Sequence, residues 1–110
     1  MSKNTVLEYL DCRNNLLTSL GVGGATALIS LNCHDNQLTN LDVSKNTALK
    51  WLSCQNNQFS SASASLDALF GMLHSNATYG ETIYISGNPG TATCDKSIAT
   101  GKGWRVVFVD

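Results

Sequence analysis

Leu28-Ile29-Ser30-Leu31-Asn32-Cys33-His34-Asp35-Asn36-Gln37-Leu38 is one of three copies of a single pattern. The copy before it reads Leu7-Glu8-Tyr9-Leu10-Asp11-Cys12-Arg13-Asn14-Asn15-Leu16-Leu17, and the copy after it, at the same spacing, reads Leu49-Lys50-Trp51-Leu52-Ser53-Cys54-Gln55-Asn56-Asn57-Gln58-Phe59. Thr5, Thr26 and Thr47 mark the same step. Each unit is therefore LxxLxCxxNx(L/F), and a fixed period of this length signals a solenoid in which every repeat contacts its sequence neighbours. In an extended segment alternate side chains face opposite ways, so Leu10 and Cys12 are expected inward and Asp11 and Arg13 outward. One unit is too small to bury its own apolar face. Stacking removes that face from water, at roughly 25 cal/mol per Å² of apolar area.

The pattern resembles the leucine-rich-repeat family. Leu41-Asp42-Val43-Ser44-Lys45-Asn46 repeats the same logic within the unit, a nesting similar to the 21-residue bacterial type found in surface or secreted proteins. The first repeat departs from it, with Gly23, Gly24 and Ala25 where Ser44, Lys45 and Asn46 stand in the second. The resemblance implies an α/β leucine-rich-repeat solenoid, with a short parallel sheet on the concave face and an irregular or helical convex side. It also implies an extracellular or bacterial cell-surface location, although the N-terminus as written lacks the charged start and apolar stretch of a secretory signal.

Composition fits one domain over residues 1–110, with regular repeats at 5–25, 26–46 and 47–62 and an irregular cap from 63 to 110. Seven Lys plus Arg against 8 Asp plus Glu leave no basic stripe for a phosphate backbone, so nucleic acid is not the expected partner. No run reaches the roughly 20 apolar residues of a membrane span. Forty-three per cent hydrophobic residues with one proline favour a packed chain over a disordered one.

Beyond Phe59 the next strand-like copy is Ile83, Ile85 and Asn88, which follows Leu52, Cys54 and Asn57 by more than one period. The surplus must be housed in the connection. Leu66, Leu69, Phe70 and Leu73 at helical spacing place a helix near 64–74, with Ser63 or Ser65 as N-cap. A polar loop over 76–81 should precede a strand over 83–86 and a turn at Asn88-Pro89-Gly90. A short helix opening at Thr93 or Cys94 comes next, with Ile98 and Ala99 inward and Gly101 and Gly103 as its stop. A strand over 104–109 ends the chain, with Trp104, Val106 and Phe108 covering the stack. Ser2-Lys3-Asn4-Thr5 is identical to Ser44-Lys45-Asn46-Thr47, from which the chain is expected to begin within a repeat of a longer protein.

Chemistry-bearing residues divide between the two faces. Asn15, Asn36, Asn57 and Asn88 should form a ladder, since a buried sharp turn leaves backbone groups unpaired at about 1 to 3 kcal/mol each and a carboxamide satisfies both donors and acceptors. Cys12, Cys33 and Cys54 are expected as core thiols. Their spacing lacks the close ligand pairs of a zinc site, and parallel neighbours at about 4.8 Å exceed the roughly 3.8 Å Cβ separation of a disulfide. Cys94 is expected as a free, partly buried thiol. Gly90 to Ser97 misses a phosphate loop because Asp95 stands where glycine is required. With 2 histidines and no nucleophile motif, no enzyme and no cofactor are expected, although His34 could lie beside Asp11 or Asp35. The outward columns comprise Tyr9, Ser30 and Trp51; Asp11, Asn32, Ser53 and Tyr84; and Arg13, His34, Gln55 and Ser86. Aromatics among short polar groups compose a recognition face, so the expected function is non-enzymatic protein binding through the concave sheet. The alternatives are a structural spacer or self-assembly unit using the uncapped N-terminal edge, and a glycan-binding face.

Overall fold

Three-residue strands form wherever the repeat places a leucine between two outward residues, because the inward leucine can be buried only if its neighbours pair. In a computed structural model, residues 6–59, 66–75, 80–91 and 94–108 are described. β1 (Tyr9–Asp11), β2 (Ser30–Asn32) and β3 (Trp51–Ser53) are followed by α1 (Leu66–Met72), β4 (Thr82–Tyr84), α2 (Ser97–Thr100) and β5 (Arg105–Val107). The strands make one parallel sheet in chain order, with Leu10, Leu31, Leu52, Ile83 and Val106 in one register row. The period of the sequence is thus one turn of the coil.

The interior is built from columns of like residues. Leu28 and Leu49, Leu31 and Leu52, Cys33 and Cys54, and Leu38 and Phe59 are all fully buried, and Leu66, Leu69 and Phe70 of α1 join them from the connection between β3 and β4. Removing one of these leucines should cost about 2 to 5 kcal/mol. All four described cysteines are free. Burial, and then the neighbouring Cys12, push the Cys33 thiol from its ordinary 9.0 up to about 12, and burial and Cys33 push Cys54 up as well. The thiols therefore stand in one row as neutral, apolar filling.

The asparagine ladder holds the turns after the strands. Asn57 donates through Nδ2 to the carbonyls of Cys33, Cys54 and Gln55, and its Oδ1 accepts the Leu38 N–H at 3.0 Å. Asn36 repeats this set one turn earlier, and Asn88 bonds Cys54 and Ile85 while accepting the N–H groups of Asn57 and Phe59. Asn15 is exposed, and among the described residues its carboxamide bonds only its own turn, at Cys12 and Arg13. Just before each ladder residue the backbone is left-handed: Asn14, Asp35 and Asn56 have φ of 58°, 59° and 55°, and Gly87 has 75°. Asn and Asp tolerate that region, and at position 87 glycine avoids both the strain of the positive φ and a Cβ that would fall 2.0 Å from Asn56 Oδ1 and displace that side chain.

On the opposite side the first repeat keeps the turn of the second despite its Gly23-Gly24-Ala25. Ala25 and Leu28 N–H groups donate to Val22 and Ala25, as Asn46 and Leu49 donate to Val43 and Asn46. The Asn46 carboxamide donates back to Val22 and Ala25 at 2.9 Å each, so one side chain secures the preceding turn.

The C-terminal part differs from its sequence expectation in several places: α1 ends at Met72 rather than at 74, and β5 runs Arg105–Val107 rather than 104–109. Strand β4 starts one residue earlier than expected and stops at Tyr84, although Ile85 N–H still pairs with Val107. Helix α2 starts at Ser97, because the Asp95 carboxylate accepts the Ser97 N–H and hydroxyl and sets the start beyond it; Cys94 lies ahead of the helix. Phe108 does not cover the stack. It is 46% exposed, with the Lys96 ammonium 4.6 Å above its ring. Trp104 alone makes the deep closure, with its indole N–H donating to His74 O at 3.0 Å and the His74 ring edge-on at 5.3 Å. Lys102 caps α1 by donating to the carbonyls of Gly71 and Leu73 at 2.7 Å each. The expected caps Ser63 and Ser65, the expected helix start Thr93, the loop over 76–79 and Val109 lie outside the described residues.

Candidate functional site

The outward face of the sheet is generated by the alternation that fills the core, so each column is fixed by register. Tyr9, Ser30, Trp51, Thr82 and Arg105 form one row, and Asp11, Asn32, Ser53, Tyr84 and Val107 the next. Tyr9 is 67% and Trp51 40% exposed. Trp51 and Tyr84 sit one strand apart on adjacent rows, with ring centroids 4.7 Å apart and planes tilted by 43°. The Trp51 indole N–H donates to Asn32 Oδ1 at 3.2 Å. The result is an aromatic pair whose orientation is set by the sheet and by Asn32, half open to water.

Around it the face is polar and nearly neutral in charge. Arg13 pairs with Asp11 at 3.3 Å, and His34 Nδ1 bonds the Asp35 carboxylate, so the outward histidine takes its own neighbour rather than Asp11. Pairs this exposed contribute little stability, in the range of about 0 to 1 kcal/mol, and act mainly to orient their members. Gln55 accepts the Ser53 hydroxyl at 2.6 Å. Ser53 and Ser86 are themselves buried; Ser53, short and placed between Asn32 and Tyr84 in register, is covered by its neighbours. The exposed face is carried by Tyr9, Asp11, Arg13, Asn32, His34, Trp51, Gln55 and Tyr84, with the two serines beneath it.

Arg105 and Asp35 escaped the sequence columns. Arg105 extends the row of Tyr9 and Trp51, but the Thr82↔Arg105 register makes the step from β4 to β5 longer than one period, so the repeat does not reach it. Asp35 sits at the left-handed turn position, which the Asn14, Asp35, Asn56 and Gly87 column marks by residue type alone. Among the described residues no cluster of three His, Cys, Asp or Glu is arranged to hold a metal ion, and no helix is long and apolar enough to cross a membrane.

No protein-family model matches the chain, and no curated protein matches it. Its structure is similar to that of the functional domain of InlJ from Listeria monocytogenes, described as including a cysteine ladder, with a TM-score of 0.63 and 30% sequence identity. The match covers 87% of this chain and 19% of that one, so the chain spans about a fifth of the protein it resembles. With that likeness, five parallel strands in chain order and leucine, cysteine and asparagine columns one coil turn apart, the chain has the fold of a leucine-rich-repeat solenoid.

Proposed function

We propose that the chain is a non-enzymatic binding module that holds a protein partner against the outward, concave face of its sheet. The observation that carries this reading is the Trp51–Tyr84 pair, left open to water while Trp104 is buried. Rigid aromatics offer large contact area at small loss of side-chain entropy, and they dominate binding energy where they occur at protein interfaces. Asn32 holds the indole before any partner arrives, which lowers the ordering cost of association. Tyr9 and Arg105 extend the surface along the same row, and Arg13, His34 and Gln55 supply directional polar contacts.

The location that accompanies this reading is a bacterial surface or secreted protein. It is supported by the resemblance of the repeat and by the Listeria origin of the similar structure. The test is capture of a partner by the chain, followed by the triple substitution Trp51→Ala, Tyr84→Ala and Arg13→Ala. Binding should fall at least a hundredfold while the far-ultraviolet circular dichroism stays unchanged; retention of binding by the folded triple variant removes the proposal. Binding of free sugars abolished by Trp51→Ala alone would instead assign the face to a glycan.

A further inference from the structure

The charges along the sheet nearly cancel in sum, yet they are unequally divided between its two halves. Around β1 and β2, residues 8–13 and 29–35 carry Glu8, Asp11 and Asp35 against a single arginine, Arg13, which is already paired with Asp11 at 3.3 Å. Around β3, β4 and β5, residues 50–55, 80–86 and 104–108 carry exposed Lys50 and Arg105 against a single carboxylate, Glu81, which is buried. Among the described residues the ion pairs are Arg13 with Asp11 and His34 with Asp35, both in the first half, and no carboxylate lies within ion-pair distance of Arg105 or Lys50.

The unpaired arginine adjoins the aromatic pair. Register sets Trp51, Thr82 and Arg105 side by side on three neighbouring strands, so the backbones of Trp51 and Arg105 stand about 10 Å apart at the usual spacing of paired strands. Thr82 between them is short and buried, with its hydroxyl donating to Gly80 O at 2.9 Å, and Tyr84 lies on the next row. The backbone under Arg105 is held by its own N–H, which donates to Glu81 O at 2.8 Å. An apolar contact and a solvated cation are thus spanned by three or four residues of extended chain, at a rise of about 3.3 Å each. A guanidinium in water adds little to the fold, whereas its planar fork matches a carboxylate through two charge-assisted bonds.

We infer that the sheet selects an acidic protein segment, in which an apolar side chain covers Trp51 and Tyr84 while an aspartate or glutamate two to four residues away pairs with Arg105. The inference rests on the reading of this face as a protein-binding one and adds the charge and spacing of what it takes. The division of charge also sets direction, because the half bearing Glu8, Asp11 and Asp35 repels the acidic end of the segment and the half bearing Lys50 and Arg105 attracts it. Attraction of this kind acts through solvent and weakens as salt is raised.

The test is selection of random short peptides, displayed on phage, against the full chain, followed by titration of the enriched peptides in synthetic form. They should combine an aliphatic or aromatic residue with Asp or Glu two to four positions away, and their affinity should fall as salt is raised. Arg105→Gln should weaken them about tenfold and remove most of the salt dependence, while the fold stays intact because the side chain is exposed. Arg105→Glu should recover binding of the same peptides once their acid is replaced by lysine. Peptides that need Trp51 and Tyr84 but bind the Arg105→Gln chain as tightly as the original would overturn this inference and leave the protein-binding face standing. Peptides indifferent to Trp51→Ala, or no enrichment at all, would count against both. A dimer mass abolished by Arg105→Glu would assign the positive half to the carboxylates of a second copy, and heparin binding abolished by the same change, without acidic peptides, would assign it to an anionic glycan; either result overturns the inference.

Discussion

Leu10 and Ile83 occupy the same register row near opposite ends of the sheet, yet Leu10 is partly open and Ile83 is fully buried. Residue type does not explain this, since both are branched aliphatics in the same strand position. What differs is the neighbour on the outer side. Beyond β4 the chain supplies β5, Trp104 and α2 resting on α1, whereas β1 has no described strand outside it. Stability in a stack is a sum of junctions, so equivalent residues should have unequal worth according to how many junctions they serve.

The largest test of that difference is at the closed end. Trp104→Ala should cost about 3 to 5 kcal/mol in urea unfolding, since it empties a deep site and removes the bond to His74 O. A loss below about 1 kcal/mol would mean that the cap contributes no more than the open edge. Next comes a pair of identical substitutions. Asn57→Ala strips a buried turn of four partners and should cost about 3 kcal/mol, against less than about 1 kcal/mol for the exposed Asn15→Ala. Equal midpoint shifts for the two would contradict the dependence on junctions.

Alkaline pH should act on the interior rather than on the ends. Below pH 9.0 the Cys33 thiol is protonated in both the folded and unfolded chain; above it the unfolded chain releases a proton that the folded one holds until about 12. Stability should therefore fall across that window, approaching about 1.4 kcal/mol per pH unit for this thiol. Cys33→Ala should flatten the pH dependence of the unfolding midpoint, and an unaltered slope would place the titrating group elsewhere. The smallest effect is expected at Lys102. Lys102→Met should cost about 0.5 to 1 kcal/mol through loss of the α1 carbonyl cap, with hydrogen exchange rising at the end of α1 before it rises in β2.

Much of this was legible in the sequence because a repeat states its spatial neighbours directly. The rows of leucine, the thiols and the asparagines at 15, 36 and 57 follow from the period, and so does the membership of the outward columns as far as Trp51. Legibility fails where the spacing changes or where a local side chain decides. Asp95 sets the start of α2, Lys96 over Phe108 leaves that ring outside, and the lengthened step to β5 hides Arg105 from the columns. Burial of Ser53 and Ser86 was equally invisible, because alternation tells which face a side chain takes and not whether its neighbours overhang it.

The chain's two tryptophans lie in contrasting surroundings, Trp51 beside water on the outward face and Trp104 deep in the closed end. Indole emission moves to longer wavelength in polar surroundings, so the native fluorescence is composed of a red and a blue component without any added label. A ligand seated on the sheet would displace the first, and fraying of the closed end would displace the second. A single spectrum can thus separate occupation of the face from loss of the fold.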